Sequence, residues 1–578
     1  MGRKPRPQGA MHVVTNTIRR GDREYTSTLL RRSYREGGRV KKQTLANLSH
    51  LDPELIELIR GFLRGERYVE VGAAFQSERS LPAGHANAVL AMARKLDLAR
   101  LLDRAPSRQR DLALALICQR VICPGSKLAT ARALGQSTLA AELGVEGADQ
   151  DDLYRAMDWL RERQARIEER LARRHLGDGE LVLYDVSSSY FEGHTCPLAQ
   201  LGYSRDRRRG TPQIVYGLLC DREGRPLCVE VFEGSLHDDK TLPAQIQKLT
   251  ERFALGQVVV AIDRGMVTRA NVDTLREAEG VDWITALKAP QVRKLVKDGD
   301  LQLSLFDEQN LAEISSDDYP GERLIVCRNP LVGSDRSRRR AELLQATERD
   351  LEAIAARVGA GSLRGRAEIA LEAGPALKRH RVKKHFEIVI GDDALTFSRK
   401  VEQIDAEAAL DGFYVLRTSV PAETLPTADV VRSYKQLKEA ERAFKTLKGP
   451  LLELRPIAHR LEDRVRAHVF LCMLAYYLTW HLKEAWAELL FEDECPPLRA
   501  DPVAKARRSP AAERKARTKR TGRGEPAHSL RTLLEELKTQ TRNTIRVHGT
   551  PATFEQLTTP TELQARAHQL VEQQRPLG

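Results

Sequence analysis

Aromatic side chains are scarce in this chain: Phe, Tyr and Trp together make up 5% of its 578 residues. That scarcity counts against a ring-lined sugar cleft, and so against a glycosidase working with two carboxylates. The eight cysteines (Cys118, Cys123, Cys196, Cys220, Cys228, Cys327, Cys472 and Cys495) form no C-x-x-C pair and no zinc-finger spacing with histidine. Scattered in this way they read as apolar thiols in a reducing compartment. No apolar run reaches the roughly 20 residues of a comfortable membrane span. The most hydrophobic stretch, residues 467–482, is shorter and contains His468 and His481, so a buried helix is expected there, and no membrane partner. The opening MGRKPRPQGA lacks the apolar centre of a secretory signal, which gives the expectation of a cytoplasmic protein. Internal repeats are absent too.

Positive charge is plentiful. Lys and Arg number 93 against 80 Asp and Glu, a formal charge of +13. A net basic chain tends to bind polyanions, although charge alone names no partner. The length suggests about three to five domains. Residues 1–70 read as a basic, β-rich, DNA-binding region, with Gly37-Gly38 as a hairpin turn flanked by the basic tract 31–42. Residues 71–176 have helical periodicity and are taken as a DNA-binding or dimerisation region. At 177–288 the pattern changes to short apolar runs bounded by Gly, Pro and Asp: strands at ELVLYDVSSSYF, TPQIVYGLLCD, RPLCVEVFEG, LGQVVVAIDRG and VDWITALK, with one helix before the last. Hairpin-like strands followed by a strand–helix–strand unit predict an α/β fold with a mixed sheet and helices on its faces. Residues 289–410 read as an insertion carrying the basic tract 336–340. A return to the sheet domain follows at 411–490. Residues 491–578 read as a flexible basic linker (tract 505–523) and a helical tail.

Three acids stand where acids are costly unless they act. Asp185 interrupts the strand ELVLYDVSSSY, Asp263 ends QVVVAID, and Glu441 lies on the predicted helix 431–448. An unpaired buried charge costs several kcal/mol unless a cation or hydrogen bonds compensate it, while an aspartate that only caps a turn would look the same in sequence. On a continuous helix Tyr434, Glu441 and Lys448 recur every seven residues and share a face, with Leu437, Phe444 and Leu451 beside them as a core-facing stripe.

The segment from Tyr434 through Glu441 to Lys448 resembles the Y-x2-R-x3-E-x6-K signature of bacterial insertion-sequence DDE transposases. LVLYDVSSSYFEG, YSRDRRRGTPQIVYGLLCD and VVVAIDRGMVT resemble that family's first two acidic motifs, and PGSKLATARAL, LYRAMDWL and LRPIAHRLEDRVRAHVFL resemble the same branch. One position departs: Leu437 stands where the signature has Arg. The resemblance implies an RNase H-like catalytic domain with Asp185, Asp263 and Glu441 as catalytic and metal-binding residues. Two Mg2+ ions are implied, replaceable by Mn2+, with Asp185 bridging them. It implies DNA contacts by Tyr434, Lys438, Lys448, Arg205, Arg207, Arg208 and Arg209, with Arg264, His237 and Asp239 as neighbours of the site. The implied partners are the element's terminal inverted repeats, target DNA and a second protomer in a homodimer. A catalytically dead DNA-binding regulator and a nuclease without strand transfer share these features and stay open at this point.

Overall fold

The computed structural model describes residues 9–66, 74–193, 195–548 and 550–576; the expected boundary at residues 70–71 lies outside them. Two compact units are present. The smaller contains residues 1–80 and 542–557. In it β1 (Ala10–Arg20), β2 (Arg23–Glu36) and β3 (Arg39–Asn47) form an antiparallel sheet, followed by α1 (Pro53–Leu63). Gly37 and Gly38 both take positive φ, 56° and 78°, the conformation a two-residue turn demands of both central residues. β4 (Phe75–Pro82) forms a second sheet with a distant hairpin, strands Thr541–Val547 and Thr553–Leu557. Sequence patterning missed that partnership, because its strands lie more than 450 residues apart and alternate weakly.

The larger unit is built on an eight-stranded sheet. Its strands are β5 (Glu180–Tyr190), β6 (Gln213–Asp221), β7 (Pro226–Glu233), β8 (Val258–Ile262), β9 (Val281–Ala286), β10 (Leu311–Ile314), β11 (Arg323–Arg328) and, after an excursion that contains the hairpin β12 (Phe386–Ile390) and β13 (Leu395–Arg399), β14 (Phe413–Thr418). The spatial order is β10-β11-β14-β9-β8-β5-β6-β7. β5, β6 and β7 form an antiparallel meander, while β8 runs parallel to both β5 and β9. Alternation along β5 feeds two cores. Leu181 and Leu183 face one, with β6 residues Ile214, Tyr216 and Leu218. Val182, Tyr184 and Val186 face the other, with Val258, Val260 and Ile262 of β8. Gly217 lies opposite Val186, and any Cβ there would run into the Tyr184 hydroxyl.

Helices cover both faces. Before the sheet come α2 (Gly84–Lys95), α3 (Leu98–Leu102), α4 (Arg108–Ile122), α5 (Lys127–Leu134), α6 (Leu139–Glu142) and α7 (Gln150–His175). α8 (Leu242–Gln247) and α9 (Arg269–Glu277) lie on the Tyr184 side, through Leu242, Ile246, Val272 and Leu275. α10 (Ala289–Asp298) follows β9. The excursion between β11 and β14 holds α11 (Pro330–Gly359), α12 (Arg366–Arg379), the β12–β13 hairpin and α13 (Val401–Ala408), with a core of its own around Leu351, Ile369 and Phe386. β11 and β14 are sheet neighbours, so the two ends of the excursion meet: Asn329 N donates to Gly412 O at 2.9 Å. The structure therefore differs from an insertion spanning 289–410. α10, β10 and β11 belong to the sheet and its flank, because their apolar residues Leu295, Leu324 and Val326 pack with Val415 of β14.

After β14 come α14 (Thr427–Lys435), α15 (Leu437–Lys448) and α16 (Glu462–Ala485). Residues 467–482 form part of α16, which is almost wholly buried, as its composition required. Among the described residues no single helix is long and apolar enough to cross a membrane. All eight cysteines are free thiols; six are buried, and Cys123 and Cys495 are exposed.

The segment expected to be a flexible basic linker is structured. It contains α17 (Pro510–Thr518), capped by Ser509, whose hydroxyl accepts from Ala512 N. Lys515 in this helix is only 4% exposed. Its ammonium donates to the carbonyls of Ala487, Leu490 and Glu492 and to the Glu494 carboxylate. A composition poor in apolar residues packs here because backbone oxygens, which composition does not show, satisfy the buried charge. α18 (Leu530–Lys538) and α19 (Glu562–Glu572) complete the chain.

Candidate active site

Strand register brings the two aspartates together. β5 and β8 are parallel neighbours, with Tyr184 opposite Ile262. Asp185 and Asp263 are the residues that directly follow this last register pair, and both line one cavity. Asp263 lies just past the end of β8, where its carboxylate accepts from Gly265 N at 3.0 Å.

Glu441 arrives from α15. Leu437, Ala440, Ala443, Phe444 and Leu447 of that helix are buried against the sheet, and the ring of Phe444 lies edge-on to Tyr216 of β6. This stripe fixes the helix rotation and leaves Glu441 exposed on the flank towards β5. Asp185, Asp263, Glu441, Tyr434, Lys435, Leu437 and Lys438 line one cavity of about 190 Å3.

The expected continuous helix 431–448 is broken at Gln436 into α14 and α15. Tyr434 thus belongs to the preceding helix, yet it still reaches the same cavity. Lys448 does not join the group that lines it. Its side chain is 12% exposed, and its ammonium donates to the Ser188 carbonyl and, at 3.3 Å, to Asp206. Asp206 also pairs with Arg455 and accepts from Tyr190 N at 3.1 Å. Asp206, an acid within the basic run 205–209, holds Lys448 away from the face that Tyr434 and Glu441 share.

Electrostatics separate these acids. Burial pushes the Asp185 carboxyl up to about 7, and the charges of Asp263 and Glu441 add to that; Val186 N, donating at 2.8 Å, and Arg205 pull the other way. Burial likewise raises the Tyr434 hydroxyl, reinforced by Asp263, Glu441 and Asp185. For Asp206, burial is outweighed by the Arg455 hydrogen bond and the Lys448 charge, which hold it below the ordinary carboxylate range.

Arg205 lies at the edge of this region, paired with Asp238, and its amide donates to Ser188 Oγ at 3.1 Å. Arg208 stacks over the Tyr190 ring at 3.9 Å. Arg207 and Arg209 are exposed, and Arg207 takes φ 59°. His237 and Asp239 line a small neighbouring cavity with Arg205, Asp238 and Gly265. Asp206, Asp238 and Ser188 were missed in sequence, although the acid inside a basic run was a signal for the first. Leu437, at the departing signature position, is buried in the core, so the cations on this cavity are Lys435 and Lys438. Lys435 is itself held by the carbonyls of Pro502, Val503 and Ala504.

Residues 177–478, more than half the chain, match the model of the transposase DDE domain. The chain belongs to the DDE transposase family. Residues 13–71 match the N-terminal domain of IS1634 family transposases, which adds an insertion-sequence origin to the assignment. No characterised protein in the curated comparison matches this transposase. Among solved structures it is similar to a chain of the cryo-EM structure of piggyBac transposase synaptic complex with hairpin DNA, at 8% identity and a TM-score of 0.33, covering 78% of this chain and 77% of that one.

The oxygen-rich donor set suits a hard divalent cation. Asp185 is buried, faces two further carboxylates, and has no ion-pair partner in contact among the described residues. No three His, Cys, Asp or Glu side chains among the described residues form a cage for one ion.

Proposed function

We propose that this transposase cuts DNA at the ends of an insertion sequence and joins the freed 3′-OH to target DNA, with Asp185, Asp263 and Glu441 as its catalytic carboxylates. The observation that carries the reading is their convergence. Three acids separated by 78 and 178 residues in sequence line one cavity, two of them directly after the last pair of a parallel register. We read the β5–β6–β7 meander with parallel β8 and β9 as an RNase H-like sheet.

Asp185, Asp263 and Glu441 would together hold two Mg2+ ions, with Mn2+ able to substitute, and such ions would neutralise phosphate charge and activate the attacking water. The chain's own residues supply the rest. Lys438 offers a mobile ammonium at the mouth of the cavity and Tyr434 a hydroxyl that stays protonated, so both can orient a phosphate by donating to its oxygens. Arg205, Arg207, Arg208 and Arg209 would hold flanking backbone.

In the first step a water oxygen bonds to phosphorus, the P–O3′ bond breaks, and the 3′ oxygen takes a proton. In the second, that 3′-OH attacks a target phosphate, forming one phosphodiester and releasing one target 3′-OH. Each step exchanges one ester for another bond to phosphorus, so no energy source is needed. The partners are the terminal inverted repeats, the target and a second protomer that pairs the two ends, in the bacterial cytoplasm.

The test is cleavage of a labelled duplex carrying the element's end, with and without Mg2+, comparing the native chain with Asp185→Ala. Metal-dependent cuts at the end that vanish in the variant are expected. Binding of that duplex without any cut, in Mg2+ or Mn2+, would leave a DNA-binding regulator instead.

A further inference from the structure

A second, larger cavity of about 830 Å3 begins beside the carboxylates. Arg264, the residue directly after Asp263, lines it. Residues of α11 and of the turn after α12 form one wall, and residues of α10 and the start of β14 form the other. The cavity therefore lies between the excursion and the sheet.

Its charge is one-sided. Arg264, Arg293, Arg336, Arg339 and Arg381 all line it and all are exposed. Among the described residues none of the five makes an ion pair or a side-chain hydrogen bond. The two acids on the same walls are already neutralised: Asp411 by Arg340 at 2.5 Å, and Glu407 by Lys384 at 2.5 Å. Five guanidiniums around one void repel each other, and an anion between them relieves that repulsion. Guanidinium forks match phosphate oxygens in pairs.

Charge is not the whole lining. Leu287, Val292, Phe413 and Tyr414 give the cavity an apolar and aromatic side. A bare polyphosphate has no use for such a surface, whereas unpaired bases do: grooves for single strands combine a cationic track with faces on which bases stack. The volume falls in the roughly 300–1,000 Å3 range of sites that enclose one small ligand, and is too small to enclose a duplex.

We propose that this groove holds a short single-stranded DNA segment, about two or three unpaired nucleotides, adjoining the phosphate cut at Asp185, Asp263 and Glu441. The inference rests on the DNA-cutting reading of that neighbouring site.

The test is binding without chemistry. Asp185→Asn protein in EDTA is titrated against two fluorescein-labelled 20-base-pair duplexes of mixed sequence, one blunt and one with a three-nucleotide unpaired tail. Anisotropy gives the affinities. The tail should tighten binding at least tenfold. That gain should fall below threefold on adding Arg336→Ser and Arg339→Ser. It should survive Arg338→Ser with Arg349→Ser, which removes the same charge from the same helix at exposed positions off the groove. Equal binding of both duplexes, or a tail gain that persists in the groove variant, overturns the proposal and leaves the catalytic reading intact. Binding of neither duplex removes the DNA-cutting reading, and the groove assignment falls with it.

Discussion

Two aspartates, one within β5 and one in the loop that follows it, show how the same side chain takes opposite characters. Asp206 has its side chain 3% exposed, and two cations and a backbone amide surround it. Asp185 is partly buried, and one backbone amide and two further carboxylates face it, with only the more distant charge of Arg205 to offset them. The first is held below the ordinary carboxylate range and the second is pushed up to about 7. A fold that needs a buried acid for its own stability compensates it, as at Asp206. One that leaves the compensation to a ligand carries a cost in the empty state, as at Asp185.

The sharpest break between the two is functional. Asp185→Asn, Asp263→Asn and Glu441→Gln should each lower end cleavage by on the order of 10^3-fold or more while circular dichroism and the melting profile remain those of a folded chain. Asp206→Asn should act through stability first. It leaves Lys448 and Arg455 facing each other at a site from which solvent is mostly excluded, a loss of about 3 kcal/mol visible as a lower denaturant midpoint. Normal stability in Asp206→Asn, or unfolding in Asp185→Asn, would dissolve the distinction.

The pH dependence sharpens it with opposite signs. Asp185 has a folded value of about 7 against an ordinary 3.8, so in metal-free buffer the native chain loses stability as pH rises from about 4 to about 7. Asp185→Asn removes that loss and should be the more stable protein at pH 8, by up to about 4 kcal/mol, and equal to the native chain near pH 4. Asp206 is depressed, so its contribution is present above the ordinary carboxylate range and fades as pH falls. Melts of the native chain and Asp185→Asn in EDTA at pH 4.5 and pH 8 measure the first trend, where Mg2+ should narrow the gap at pH 8; melts of the native chain and Asp206→Asn at pH 8 and at a pH below the ordinary carboxylate range measure the second.

Much of this was legible before any coordinates, for physical reasons. β5 to β9 announced themselves as short apolar runs with turn residues between them, and α16 by its continuous hydrophobicity. Asp185 stood out as a charge inside one such run and Asp263 at the end of another, Glu441 lay on a helix face, and the family resemblance linked the three. What stayed hidden depended on pairings between distant residues. Lys448 shares a heptad with Glu441 on paper, but the break at Gln436 and the capture by Asp206 separate their roles. β11 reads like any strand of an insertion until its register with β14 is seen. Lys515 sits in a tract whose composition suggests a solvated chain, and only the carbonyls of residues 487–492 explain its burial.

The smallest expected effect concerns two lysines ten residues apart on α15. Lys438 is 51% exposed on the carboxylate cavity, with a loose contact to Glu439 at 3.5 Å. Lys448 is committed to Asp206 and Ser188. If Lys438 meets a DNA phosphate, Lys438→Gln should reduce the slope of log affinity against log salt by about 1, weaken binding modestly at all sequences, and leave the melting temperature unchanged. Lys448→Gln should do the reverse: an unchanged slope and a lowered melting temperature, since Asp206 keeps only Arg455 and the Ser188 carbonyl loses its donor. A salt slope that moved with Lys448 and not with Lys438 would put Lys448 on the DNA after all, as the family signature implies, and the Asp206 clamp would then be the state of the protein before DNA arrives.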